Sequence, residues 1–536
     1  MSHYELVVLG ADEYSGPAGG SSLATRYNLA YEVTDCGIVV GQMNRQIAAV
    51  PVYQGFFYLD RPRFGRPAGH LEFLPALLPN GAPSPTTPSI ARDVNAAGWI
   101  VGDMGQDPNL AEFFVPRAAA WRISDAPTPF VRAISPPQPD PQSQEPVRDF
   151  GWLGAVSEGD EPWAAFTFEG PFCGGPVPVV RFERVASVRL DLDAPPPLMR
   201  TPCLSCPEPD ITSGQVPAGR LAAYGISPNG ELLCGWRETC FFNQTCHGPL
   251  GLRARQWISA ELCPNPPSCD GPGLLNCGTC LTPDPVQEPD DPAVEPGASA
   301  RQYAVLNDGS AVGFVTDAWP ELATTGGGGG SDPVTLVRPC GRWAYAWTPP
   351  VSLCGQPGEP DALCGNGDGG LYADASIGVR LPIPDSMLPL LRRSEAFDIE
   401  RNPFTANGRR AGHFAVGDVA TKIVDKPDPA LRGLVWFAEG DQVSNWAVAD
   451  INQMVSPTPP IEGYSSFVVR ALRGVNTRGD AVGMAEFTPT DGTDPVRRAV
   501  LLRAVPSGLA GDLDGDGMVG ASDLAILLGA WCTEAA

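Results

Sequence analysis

Residues 512–523 read Asp-Leu-Asp-Gly-Asp-Gly-Met-Val-Gly-Ala-Ser-Asp, the one stretch whose chemistry can be named from residue types and spacing. Carboxylates at positions 1, 3, 5 and 12 of a 12-residue loop surround a hard cation, and Gly at position 6 permits the sharp turn between them. Asp512, Asp514, Asp516 and Asp523 supply those oxygens, Met518 a backbone carbonyl, and Gly517 the turn. Position 9 is Gly520, so that ligand is a water or absent. Val519 is placed to plug the space beneath the loop, and Leu524, Ile526, Leu527, Leu528 and Trp531 form the apolar part of a short helix leaving it. Four carboxylates favour calcium over magnesium, which keeps its own waters. Plain surface acidity is the alternative, but it does not explain the glycine and the following helix in register.

Other reactive constellations are absent. The chain has no Gly-x-Ser-x-Gly elbow, no His-Glu-x-x-His and no phosphate-cradling Gly-Lys-Ser/Thr. His3, His70, His247 and His413 sit in unrelated contexts that read as structural. Carboxylate pairs for glycoside cleavage stay open, because 61 acidic residues offer many pairings that sequence does not place in space.

The elements ahead of the loop form a repeat. One half of the unit reads small-x-x-[Val/Ile], a turn, then Gly-x-x-Val-Gly. Strict copies are Ala30–Val33 with Gly37–Gly41, Ala91–Val94 with Gly98–Gly102, Tyr303–Val305 with Gly309–Gly313, and Val475 with Gly479–Gly483. Looser copies begin at Ala223 and Ala396, and a ghost survives as Phe150-Gly-Trp-Leu-Gly154, which makes seven. Val or Ile in a short apolar run favours a strand, and Asn-x-x-Gly, as in Asn95–Gly98 and Asn476–Gly479, fits a type I turn. Each first half is therefore a β-hairpin.

A second half, small-x-x-aromatic, follows each hairpin. It appears as Gly55–Tyr58, Ala118–Trp121, Ala165–Phe168, Ala254–Trp257, Ala344–Trp347 and Gly433–Trp436, and with leucine as Ala499–Leu502. Three or four strands per unit, repeated seven times, predict an all-β protein: a seven-bladed β-propeller with long loops over residues 1–505, and a calcium-binding tail over 506–536. Separate β-sandwiches are the competing architecture.

The repeats resemble the HAF-type extracellular repeat, built around Ala-x-x-Ile-Asn-x-x-Gly-x-x-Val-Gly. Asp450-Ile-Asn452, Gly479–Gly483 and Arg498-Ala-Val-Leu-Leu502 match it most closely. The resemblance implies an exported, propeller-forming protein and transfers no catalytic residues. The tail resembles a type I dockerin repeat, which implies anchoring through a cohesin-like or cell-surface partner. That family carries two such segments and this chain shows one.

Bulk composition narrows the partners. A formal charge of −25 disfavours nucleic acid, whose phosphates need a basic face. No run approaches the roughly 18 apolar residues of a membrane span. Of 15 cysteines, 13 lie between Cys173 and Cys364, a density that points to disulfides in an oxidising compartment rather than to zinc. The recorded start shows no signal peptide, while the cysteines and repeats argue for an extracellular or cell-surface location. Residues 263–300 and 326–331 read as a disulfide-pinned loop and a flexible glycine link inserted between strands. The functional expectation is an exported, non-catalytic protein that binds a glycan or protein partner and is anchored by its calcium tail. The alternative is a polysaccharide-degrading enzyme, which requires acidic and aromatic residues to converge in one concave pocket.

Overall fold

The computed structural model describes residues 3–10, 28–47, 50–78, 81–84, 87–105, 117–134, 151–170, 182–191, 199–200, 221–238, 252–258, 300–316, 342–348, 377–388, 391–401, 412–421, 430–438 and 446–505. The described residues form an all-β structure whose only helical element is one 3-10 turn, Ile451–Gln453. The expected calcium loop, helix and Gly-rich link lie outside the described residues.

Seven antiparallel groups of strands, called sheets below, follow one another along the chain, each strand pairing with the next. A two-stranded ribbon, Ala76–Leu77 with Pro83–Ser84, lies between the first two in sequence. Their first strands are Leu29–Val33, Ser89–Val94, Gly151–Val156, Leu221–Ile226, Ala300–Val305, Leu391–Arg401 and Tyr464–Val475. We call these the inner strands and number the sheets one to seven in this order. Sheet four has three described strands and the others four. Sheets five and six touch edgewise through a single parallel pair, Arg342 with Arg393. The fourth strand of sheet seven is not its own continuation. It is His3–Val8, which runs antiparallel to Val496–Val505 from His3 opposite Val505 to Val8 opposite Val500.

The core is divided among the contacts between consecutive sheets. Ile38, Phe57 and Trp121 fill the space between sheets one and two; Phe414, Val435 and Leu472 lie between six and seven. Sheets seven and one share a cluster of their own, in which Val482 and Leu501 meet Ala30, Val39 and Phe56. The small-x-x-aromatic signature marks third strands, where Trp121, Trp347 and Trp436 are fully buried. The indole Nε1 of Trp121 donates to the Pro75 carbonyl (2.6 Å) and that of Trp436 to Pro382 (2.7 Å), both in segments leaving the preceding sheet. Burying a Trp side chain in this way is worth about 3–5 kcal/mol against alanine.

Sheet three departs from the expected assignment. Ala165–Phe168 lies on its second strand, Trp163–Gly170, not its third, because Phe166 stands opposite Leu153 where other sheets place the closing glycine. The third strand, Phe182–Arg189, carries no aromatic at that position.

The turn and the closing glycine have separate causes. Gly479 N–H donates to the Asn476 carbonyl (2.9 Å) and Gly98 N–H to that of Asn95 (3.0 Å), closing the expected turns. The glycine φ values of +82° and +85° are ones that side chains disfavour. Gly483 has ordinary backbone angles but faces Leu472, and a Cβ there would overlap the Ala471 carbonyl.

Candidate functional site

All seven inner strands share one irregularity. Within each small-x-x-[Val/Ile] unit the pairing slips by a β-bulge: between Ala30 and Glu32, Ala91 and Asp93, Leu153 and Val156, Ala223 and Gly225, Gln302 and Ala304, Ala396 and Asp398, and Leu472 and Gly474. A regular strand sends successive side chains to opposite faces; the bulge inserts a residue and breaks that alternation. The outer two positions of the unit are buried between sheets and the two middle ones are half-buried, a pattern identical in sheets two, three and five. In the six sheets that place glycine at the closing position, an inner-strand carbonyl oxygen overlaps the place where its Cβ would stand; sheet three carries the bulge with Phe166 there instead.

The paired middle positions converge on one cavity of about 520 Å³. The first of each pair contributes Tyr31, Arg92, Gly154, Tyr224, Tyr303, Phe397 and Arg473. The second contributes Glu32, Asp93, Ala155, Gly225, Ala304 and Asp398. Asp35, Glu158 and Glu400 stand nearer the turns.

Aromatic rings make a continuous row along one side. Tyr224 meets Tyr303 edge-on at 5.3 Å, Tyr303 stacks on Phe397 at 5.0 Å, and the Arg473 guanidinium lies 3.6 Å from the Phe397 ring centre. Both arginines are tied to acids outside the cavity. Arg92 Nη2 is 2.7 Å from Asp103 Oδ2, and Arg473 Nη1 is 2.8 Å from Asp418 Oδ2. Asp103 and Asp418 occupy equivalent positions, each directly after the closing glycine of its second strand.

The carboxylates divide into two kinds. Asp93 accepts from Val94 N–H (2.6 Å) in its own sheet and from Val156 N–H (2.7 Å) in the next. Asp398 repeats this with Ile399 N–H (2.8 Å) and Val475 N–H (2.7 Å). Each therefore joins two consecutive inner strands. Glu32 accepts from Val33 N–H through Oε1 (2.9 Å), and its Oε2 faces Gly474, where a Cβ would lie 2.9 Å away.

Burial pushes Asp93 up to about 8, against its two backbone N–H bonds and with the charges of Asp398 and Glu158 adding to the rise. Burial also raises Asp398 to about 7, again against its two N–H bonds. Glu32 is held well above the ordinary carboxylate range by burial and then by the nearby charges of Asp398 and Asp93. Glu400 is raised well above that range for the same first reason, with Asp398 and Asp35 adding to it. Near neutral pH the wall is thus a set of carboxyl groups partly held in the protonated form.

Sequence reasoning did not find this site. Its signal lay in the two positions that the repeat signature leaves open, where Glu32, Asp93 and Asp398 recur in the same slot. The predicted ligands Asp512, Asp514, Asp516, Met518 and Asp523 lie outside the described residues. Among the described residues, no group of three or more His, Cys, Asp or Glu is arranged to hold a metal ion. His413 is buried and stacks on Trp446, and His70 pairs with Glu72 at 3.1 Å. Cys36 is disulfide-bonded, whereas Cys234 is a buried free thiol that burial holds above its ordinary range. No described helix is long and apolar enough to cross a membrane.

No protein-family model matches the chain, and no curated protein matches it. Among solved structures, the crystal structure of polysaccharide lyase Uly1 aligns with 94% of this chain and 97% of that chain, at 10% identity and a TM-score of 0.35. At that level of likeness no residue is transferred from one to the other.

Proposed function

We propose that the seven sheets close into a seven-bladed β-propeller of the HAF-repeat kind, and that the chain is an exported, non-catalytic binding protein. The shared core between sheets seven and one and the N-terminal strand completing sheet seven support the ring. Closure by joining the two chain ends in one sheet removes the strand edges that an open array would leave exposed. In this reading the central cavity and the loops around it bind a glycan, and residues 506–536 form a dockerin-like tail. Asp512, Asp514, Asp516, Met518 and Asp523 would hold calcium there for anchoring to a cohesin-like or cell-surface partner.

The observation that carries the non-catalytic reading is the use of Asp93 and Asp398. Both oxygens of each accept backbone N–H groups from two successive sheets, so these acids are committed to holding strands together. A general acid or base instead needs an oxygen free to reach the substrate proton. The alternative, a polysaccharide-degrading enzyme, draws on the meeting of acidic and aromatic residues in one cavity.

Incubating the full chain with a panel of soluble and insoluble polysaccharides separates the two, with retention and new chain ends measured together. The binding reading expects retention without cleavage. Steady product release that is lost in Glu32→Gln would overturn it in favour of the enzyme.

A further inference from the structure

The cavity has a one-sided charge. Its two guanidiniums are already held by Asp103 and Asp418, while Glu32, Asp93, Asp398 and Glu400 face it without an ion pair to a basic side chain among the described residues. Once deprotonated, carboxyl groups collected against low-dielectric walls focus a negative potential and draw cations inward. A bare metal ion does not fit, since no three described ligating groups are set to chelate one. The space, about 520 Å³, is of the size that holds a small organic molecule. Gly154, Ala155, Gly225 and Ala304 line it with little or no side chain, and at Gly154 and Gly225 the next inner strand packs where a Cβ would stand.

The aromatic row is the second, independent feature. Arg473 already lies 3.6 Å from the Phe397 ring centre with Asp418 as its anion, so this wall holds a cation between an aromatic face and a carboxylate. Tyr303 and Tyr224 continue the row away from that arginine. Aromatic faces beside carboxylates are the arrangement that recognises organic ammonium groups.

We infer that the cavity binds an organic cation, a ligand whose protonated amine sits between Glu32 and the Tyr224–Tyr303–Phe397 row. The inference rests on the binding-protein reading above and names the charge that its ligand carries. Glu32 is the principal partner because Asp93 and Asp398 have both oxygens engaged by amides, whereas Glu32 accepts one amide through Oε1 and its Oε2 lies beside Gly474. The amine comes either as an amino sugar or as a free polyamine. The cation competes with the protons these carboxyls hold near neutrality, so it binds more tightly as the pH rises.

Calorimetric titration of the full chain with spermidine, glucosamine trimer and N-acetylglucosamine trimer at pH 6.5 tests this. Binding of spermidine alone identifies a polyamine site, and binding of the glucosamine trimer an amino-sugar site; either supports the inference when the acetylated trimer does not bind. Glu32→Gln, shown folded by circular dichroism, is expected to bind about tenfold more weakly. Phe397→Leu is expected to weaken binding as well, and spermidine affinity to rise from pH 6.0 to 8.5. Equal binding of the acetylated trimer overturns the cation inference and leaves a neutral glycan site standing. No binding of any probe, or full affinity in Glu32→Gln, also overturns it. The parent reading fails separately, on the polysaccharide panel.

Discussion

Asn476 in sheet seven donates its side-chain amide to the carbonyl of Thr34 in sheet one at 3.0 Å, across 442 residues of chain. Its Oδ1 meanwhile accepts the Arg478 and Asp480 N–H groups of its own turn, each at 3.0 Å. Beside it, Thr477 N–H donates to Asp35 Oδ1 at 2.9 Å. One side chain thus shapes the most regular turn of the repeat and joins the last sheet to the first. Asn476→Ala removes both roles and should cost about 2–3 kcal/mol, and Asn476→Asp, which sets an acceptor against the Thr34 carbonyl and Asp480 Oδ2, should cost at least as much. Chemical denaturation followed by tryptophan fluorescence measures the difference. Equal stability of wild type and Asn476→Ala would refute any role in closure.

The N-terminal strand makes the same junction by a different means. His3–Val8 pairs along Val496–Val505, and Tyr4 and Leu6 are buried in the cluster between sheets six and seven. Removing residues 1–9 leaves the Val496–Val505 edge open and exposes that cluster. The truncated chain should elute as oligomers and melt at a lower temperature. A synthetic peptide of the deleted residues should restore monomer and melting together. A truncated chain that stays monomeric and melts like wild type contradicts the closed ring.

The constant positions of the repeat told of packing, and there the sequence was informative. Val475, Gly483 and Trp436 are constrained by strand pairing, carbonyl approach and core burial, so their types repeat and can be recognised. The cavity was illegible for the converse reason. Tyr31, Glu32, Arg92 and Asp93 point away from the core, so packing leaves their types free and the signature records them only as x-x. Nothing in the spacing says that the seven open pairs face one another, because a bulge is invisible in a hydrophobic pattern. Sheet three misled for a third reason. Phe166 replaces the closing glycine, which moves an aromatic signature onto the wrong strand.

Two glycine substitutions separate the reasons for which glycine is used. Gly483→Ala adds a Cβ onto the Ala471 carbonyl and must open the bulge, which should cost about 3 kcal/mol or more. Gly492→Ala lies at φ +78° with nothing within 4 Å, so only backbone strain opposes it, about 1–2 kcal/mol. Denaturation midpoints should rank wild type, Gly492→Ala and Gly483→Ala in that order. The reverse order would mean that the carbonyl contact is relieved cheaply.

The buried carboxyls set the dependence of stability on pH. Folded Asp93 and Asp398 keep protons up to about pH 8 and about pH 7, whereas an unfolded chain releases them near pH 4. Between these limits the folded state binds more protons, so stability falls as pH rises. Glu486, where burial is outweighed by the bonds from Arg470 and Arg497, lies below the ordinary range and acts only in acid. Melting should therefore be highest near pH 5 and decline through pH 8.5. Glu32→Gln keeps an oxygen for Val33 N–H and removes a charge, so it should match wild type at pH 5 and melt roughly 1–3 °C higher at pH 8.5. A flat wild-type profile from pH 5 to 8.5 would show that these groups titrate normally.

Calcium provides the test of the tail. In the proposed tail Asp512, Asp514, Asp516 and Asp523 would bring four carboxylates to one 12-residue loop, where without a cation they would repel one another. Ligand binding to the folded form alone raises stability by about 2.7 kcal/mol at a hundredfold excess over the dissociation constant. Millimolar calcium should thus raise the melting of the tail, magnesium at the same concentration should do far less, and Asp523→Ala should abolish the calcium shift. The repeat domain has its own core, so its melting should stay the same in all three conditions. A calcium shift that survives in Asp523→Ala would place the ion elsewhere and remove the basis for the anchoring role.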